Sequence, residues 1–305
     1  MKSTKMITAA LVVSLFFQLV AFSQTLGSPA WTPPTPRKAK TPFAPKPLPT
    51  YNIFKGDADH WLADAIVKLE GEVAAPLNDR SLDDYVAMVG DCVAKYSVVP
   101  TKQYQFIVTN DQSADAMTAG GGRIYITLGM LALLENEDEL AGILAHEIGH
   151  DAFHHAARTV TRQMFWLTGT KKIRSPQDAE TALAELNSRI TLPIGLGERL
   201  LGFSRFDELE ADRAAFYNLY KAGYNPYALT IALKRLQQQS DENDEGGTKK
   251  KLFLLLFGSH PSTGQRTFAL TWESNWLKMP PENSRQVSAA FEAMKHRVKE
   301  ITRED

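Results

Sequence analysis

The stretch LAHEIGHDAFHH, residues 144–155, concentrates four of the chain's seven histidines around one glutamate. His146 and His150 are four positions apart. On a helix that places them about 40° apart around the axis and one turn apart in height, so both imidazoles can face one ion. Donor–metal distances of about 2.0–2.1 Å are then within reach. Glu147 turns about 100° away from His146. Its carboxylate can reach a water molecule beside the ion without taking a coordination position. A Lewis acid, an activated water and a nearby base are the requirements of metal-assisted hydrolysis. The competing reading is a helix face that happens to be rich in histidine.

Two histidines do not complete a site. A third histidine ten positions after the first, with a glycine at the seventh, is one route to a third ligand. Those positions hold Ala156 and Phe153, so that route fails. The other route is a carboxylate from a second helix. FSRFDELEADRAAF, residues 203–216, supplies Glu208, Glu210 and Asp212. Glu208 and Asp212 share a face at i and i+4, and Glu210 points elsewhere. One of the pair can bind the ion while the other accepts the free N–H of a ligating histidine. Spacing alone leaves open which does which.

These residues need elements to hold them. Helical spacing predicts helices over 57–75, 81–97, 178–190, 205–221, 226–239 and 285–301. Alternating aromatic and β-branched residues predict strands over 103–109 and 123–127, separated by the structure-breaking triple glycine 120–122. Residues 129–134 begin a short helix. Asn136 caps a longer one, predicted to run unbroken from Glu137 to Thr168, with three acids in the first turn where the helix dipole favours them.

The rest of the chain bounds the function. Its 305 residues are 44% hydrophobic, enough for one globular domain with small appendages, and the formal net charge of −1 gives no basic footprint for nucleic acid. The lone Cys92 excludes an intrachain disulfide framework. Residues 1–23 have the layout of a secretory signal peptide: Lys2 and Lys5, an apolar run from Met6 to Phe22, and small residues before a cut. Retention of that run as an anchor is the alternative, and membrane contact is expected only in that case. Residues 24–50 hold eight of the sixteen prolines and read as an extended linker. Residues 51–275 are then the folded domain and 276–305 a helical extension.

HEIGH followed by FSRFDELEADRAAF resembles the M48 family of zinc metallopeptidases. GGGRIYITLGML (120–131), KAGYNPYALTIALKRL (221–236) and GSHPSTGQR (258–266) extend the likeness over residues 55–270. The resemblance implies a mostly helical α+β zincin-like (gluzincin) core, with a small sheet beside the active-site helix. It implies one zinc ion on His146, His150 and Glu208, with Glu147 as general base and Asp212 as the carboxylate behind a ligand. His260 and Arg266 become candidates for oxyanion stabilisation or regulation; a resting-state zinc ligand or a structural histidine are the alternatives for His260, and pairing with a carboxylate near the site is the alternative for Arg266. The strand Arg123, Ile124, Tyr125, Ile126 and Thr127 is expected at a sheet edge, taking substrate as an added strand. His155 is expected to pack or hydrogen-bond rather than ligate, Glu210 to be structural, and His154 to be exposed. The implied activity is cleavage of unfolded or misassembled proteins by an exported enzyme, in a bacterial periplasm, for envelope quality control. A non-catalytic zinc-bound binding module and a peptidase held latent by residues 241–260 are the alternatives.

Overall fold

The structure is a computed structural model. It describes residues 51–56, 58–70, 75–100, 102–189, 203–242, 266, 270 and 288–304. The expected signal peptide, the proline-rich linker, His260 and most of residues 241–260 lie outside the described residues.

Two helices, α1 (Ala58–Glu70) and α2 (Arg80–Ala94), precede three strands, β1 (Gln105–Thr109), β2 (Ala116–Gly120) and β3 (Arg123–Thr127). Helices α3 (Leu128–Leu133), α4 (Glu137–Ala152), α5 (His155–Leu167), α6 (Pro176–Arg189), α7 (Arg205–Ala222), α8 (Ala228–Glu242) and α9 (Ala289–Glu304) follow. This is the mostly helical fold with a small sheet that the sequence predicts. β2 is new: AMTAG does not alternate, and only its pairing makes it a strand. Gly120, Gly121 and Gly122 all have positive φ, of 95°, 66° and 78°, so the triple glycine is the hairpin turn between β2 and β3. Three such residues in a row are accessible only without a Cβ.

The sheet order is β1-β3-β2. β3 pairs parallel with β1 and antiparallel with β2. Arg123–Thr127 is therefore the central strand, not an edge. Both rows of its backbone groups are committed to the ladder, and an added peptide has nothing left to bond there.

The structure is organised around α4. All of its residues from Glu137 to Ala152 are buried. Asn136 caps it, accepting from the Glu139 N–H at 2.9 Å. The three first-turn acids are held by other elements. Glu137 accepts from Tyr85 at 2.9 Å, Tyr224 at 3.3 Å and Ser288 at 3.0 Å. Asp138 accepts from the Asn225 N–H at 3.2 Å, and Glu139 from Arg235 at 3.1 Å. At the other end Asp151 accepts from the Gly122 N–H at 3.0 Å and pairs with Lys102 at 2.5 Å. Lys102 also reaches Asp59, which accepts from the Gly121 N–H. The hairpin turn is thereby tied to both α1 and α4.

Two main apolar cores result among the described residues, beside a small cluster of Phe216, Tyr217 and Leu270. The larger joins α2, the sheet, α4, α7 and α8 with Phe291, Met294 and Val298 of α9, so the C-terminal helix is part of the main core. The smaller joins α1, α5 and α6 around Leu62, Ile66, Val160 and Leu183.

The long helix expected over 137–168 is two helices. His154 sits in the left-handed region at φ 55°, which stops α4 and restarts the chain as α5. No glycine or proline marks the break, so periodicity ran through it.

Helices pack on α4 closely enough to require glycine. A Cβ at Gly142 would lie 2.7 Å from the Leu229 backbone N, and one at Gly149 3.0 Å from the Ala211 carbonyl oxygen. Alanine has the better helix propensity by about 1 kcal/mol. Here the obstacle is backbone, so Gly142→Ala should nevertheless lower stability, by about 1–3 kcal/mol. Urea denaturation checks this; an unchanged or raised midpoint would show that the start of α8 yields freely.

Candidate metal centre

His146 and His150 project from successive turns of α4, with their Nε2 atoms 3.0 Å apart. Glu208 comes from the first turn of α7. Its Oε1 lies 3.4 Å from His150 Nε2 and its Oε2 3.5 Å from His146 Nε2. Donor atoms at about 2.0–2.1 Å from one ion at tetrahedral angles stand about 3.3 Å apart. The three side chains, all buried, match that spacing and form a group that could hold a metal ion. Two nitrogens and a carboxylate suit zinc better than calcium or magnesium, which prefer oxygen.

α7 is positioned by its own sequence. Ser204 and Asp207 form a reciprocal capping box: Ser204 N–H donates to Asp207 at 3.0 Å and Asp207 N–H to Ser204 Oγ at 3.3 Å. Glu208 follows directly in this fixed turn. Gly149 of α4 meets the Ala211 backbone, which sets the helices close enough for Glu208 to reach both imidazoles.

Behind each histidine stands a partner. His146 Nδ1 lies 3.0 Å from Asp212 Oδ1. Asp212 is gripped by Arg266 through two bonds, Nε–Oδ2 at 2.7 Å and Nη2–Oδ1 at 2.6 Å. Asp212 is fully buried, yet the Arg266 guanidinium and the His146 ring hold its carboxyl below the ordinary carboxylate value against the opposing effect of burial. Arg266 Nη1 also reaches Glu208 at 3.1 Å. Of the two acids that spacing left open, Glu208 faces both Nε2 atoms and Asp212 faces the far nitrogen of His146.

His150 has a different partner. Its Nδ1 lies 2.9 Å from His155 Nδ1, and His155 Nε2 lies 3.1 Å from Glu210. Arg158 pairs with Glu210 at 3.2 Å. On a continuous helix His155 would point away from the site. The break at His154 swings it back behind His150. Phe203 stacks on His150, with ring centroids 4.1 Å apart. The expectation that His155 packs or hydrogen-bonds names no partner, and neither His150 as that partner nor the Phe203 stack has a signal in the sequence; the capping box S-x-x-D does, in Ser204 and Asp207. His154 is exposed, beside Asp59 at 3.5 Å.

Glu147 is buried, and burial pushes its carboxyl up to about 8, opposed by His146 and reinforced by Glu208. It lines a cleft with His146, Arg266, Asp115 and Ala116. Among the described strands it is β2, through Ala116, that borders this cleft; the central β3 does not.

The chain is similar to several known proteins. The model of peptidase family M48 matches residues 80–273. The beta-barrel assembly-enhancing protease of Yersinia pestis is 28% identical over 240 residues, covering 75% of this chain and 46% of that protein. The mitochondrial metalloendopeptidase OMA1 of Schizosaccharomyces pombe is 27% identical over 201 residues, 64% of this chain and 56% of that protein. The metalloprotease YcaL of Escherichia coli is 28% identical over 167 residues, 53% and 58% respectively. The chain thus spans about half the length of these relatives.

A divalent ion binding this donor set will stabilise the fold. At roughly a thousand times its Kd the gain is about 4 kcal/mol. Zinc added to chelator-treated protein should raise the thermal midpoint, and His146→Ala should remove the rise. A zinc-induced rise that persists in His146→Ala would place the ion elsewhere.

Proposed function

Since the chain belongs to peptidase family M48, we propose that it is a zinc metalloendopeptidase that cleaves protein substrates. The observation that carries the reading is the triad His146, His150 and Glu208 at tetrahedral spacing, with the buried carboxylate of Glu147 on the next residue. In this proposal the three hold one zinc ion.

A zinc ion there supplies Lewis acidity toward the scissile carbonyl and lowers the pKa of water. The protein's own groups do the rest. Glu147 receives the proton of the attacking water on its carboxylate and delivers it to the leaving amine. Its burial suits this, because an apolar setting raises its affinity for a proton. Asp212 accepts the Nδ1–H of His146 and so leaves the Nε2 lone pair facing the site. His150 needs the same tautomer, so its Nδ1 donates to His155 Nδ1. His155 must then carry its proton on Nε2, where Glu210 accepts it. Arg266 lines the cleft and can donate to an oxyanion developing there.

Substrate is proposed to enter as an extended strand along β2, bonded through the main chain. Met130, Ile143, Leu229, Leu233 and Leu236 wall the cleft beside Glu147, so an apolar side chain fits next to the scissile bond. Unfolded or misassembled proteins expose such segments. The sequence of residues 1–23 supports export, and no helix among the described residues is long and apolar enough to cross a membrane. The names of the bacterial relatives support a role in envelope protein quality control.

Glu147→Gln should retain zinc and lose cleavage of an unfolded protein such as reduced casein by roughly 10²–10⁴-fold. Equal cleavage by the two proteins would end the peptidase reading. His155→Phe should weaken zinc binding about 10–100-fold in competition with a chelator. Unchanged affinity would mean that His150 is held without it.

A further inference from the structure

The far end of α5 carries an exposed apolar surface that the metal centre does not use. Phe165, Trp166 and Leu167 are consecutive and 42%, 80% and 43% exposed. They close the last turn of the helix. Tyr51, 65% exposed, lies against them, and with Arg158, Thr161, Arg162, Phe165 and Trp166 it lines a groove of about 340 Å³. The Tyr51 hydroxyl donates to the Lys171 carbonyl at 3.3 Å, which ties the loop after α5 to the same face. Adjacent exposed aromatic side chains of this kind mark an interaction surface.

The exposed charges in the loop after this patch are basic. After the turn at Gly169, φ 73°, come Lys171, Lys172, Ile173 and Arg174. The three cations are exposed, and none has an ion-pair partner among the described residues. The nearby acids are engaged. Glu180 pairs with Lys68 at 2.6 Å, Asp178 accepts the Arg174 backbone N–H at 3.0 Å, and Glu210 is taken by His155 and Arg158. Arg162 lies 3.7 Å from Asp207, beside the 83% exposed Phe206.

Tryptophan with phenylalanine and leucine, flanked by exposed lysines and arginine, is the composition that settles at a bilayer interface. The rings enter the headgroup boundary and the cations meet anionic lipid. We infer that the Phe165–Arg174 face docks the folded domain on an anionic membrane surface, independently of any N-terminal anchor. Sequence reasoning had allowed membrane contact only through residues 1–23. This second contact is part of the fold. Trp166 lies eleven residues after His155, so the docked face stands about 16 Å along α5 from the side chains behind His150. The metal centre would be held close to the membrane but out of it.

The test uses the full chain. Cys92 is the only cysteine and is buried, so Leu167→Cys can be labelled selectively with an environment-sensitive fluorophore. Arg80→Cys on α2, labelled likewise, is the control. With vesicles of phosphatidylglycerol and phosphatidylcholine in equal parts, the label at 167 should shift to the blue and be quenched by brominated lipid. The label at 80 should not. Lys171→Gln with Lys172→Gln should weaken the partition by roughly tenfold or more, and Phe165→Ser with Trp166→Ser should abolish the shift. Both pairs are exposed, and an unchanged zinc-induced rise in thermal midpoint will show that the fold is intact. Three results would overturn the inference. One is a label at 167 that stays aqueous on protein sedimenting with vesicles, which shows attachment through the N-terminal run alone. Another is an equal response to pure phosphatidylcholine. The third is a response to an unfolded protein but not to vesicles, which makes the face a substrate-binding surface.

Discussion

Complete burial of α4 is the constraint from which the rest of the structure follows. A helix with no exposed face cannot leave polar side chains to water. Each one must find a partner inside the protein or lose the free energy of desolvation. α4 nonetheless carries three acids in its first turn, the His-Glu-x-x-His group in its third and fourth, and Asp151 near its end. The elements around it are arranged to meet those demands. α2, α8, the turn at Asn225 and the residue before α9 meet the first-turn acids, and the β2–β3 turn with Lys102 meets Asp151. With both ends fixed to several elements, the middle of the helix cannot rotate or slide. That middle is where the histidines are.

The same constraint explains why α7 carries the complementary acids. Two buried imidazoles and a buried Glu147 require charges of both signs nearby, and α7 brings Glu208 and Asp212 while Arg266 balances them. Close approach depends on Gly149 against the Ala211 backbone, and direction depends on the Ser204–Asp207 capping box. Glutamate at 208 has the reach to sit opposite both Nε2 atoms. Aspartate at 212, one turn on and a methylene shorter, stops behind His146. Thus a difference of side-chain length on one helix face separates two roles that residue spacing alone could not.

Much of this was legible because it is local. His146, Glu147 and His150 follow from helix geometry, the Glu208–Asp212 pair from the same i, i+4 rule, and the Asn136 cap from its residue type and the acids after it. What was not legible depends on tertiary pairing. β2 has no alternation of its own, and Ala116–Gly120 becomes a strand only against β3. The order of the sheet is likewise a contact property, so Arg123–Thr127 gave a clear strand signal without revealing that it is central. The pairing of Arg266 with carboxylates of a helix more than fifty positions away follows from the family resemblance alone, since no periodicity operates over that distance. The extent of the core shows the same limit: α9 reads as an appendage by position, yet Phe291 and Val298 are as buried as the residues of α2.

The break at His154 has the widest consequence. A histidine in the left-handed region costs of order 1–2 kcal/mol relative to a helical residue, and a continuous helix would avoid that. It would also direct His155 away from His150. The turn instead returns His155 to within 2.9 Å of His150 and places Glu210 and Arg158 behind it, a partly buried set of charge-assisted contacts that opposes the local strain. It also reorients the chain, so that α5 leaves α4, packs on α1 and α6 through Val160 and Met164, and carries Phe165 and Trp166 out to the surface. One residue in an unusual conformation therefore sets both the hydrogen-bond partner of a candidate ligand and the direction in which the exposed aromatic face points.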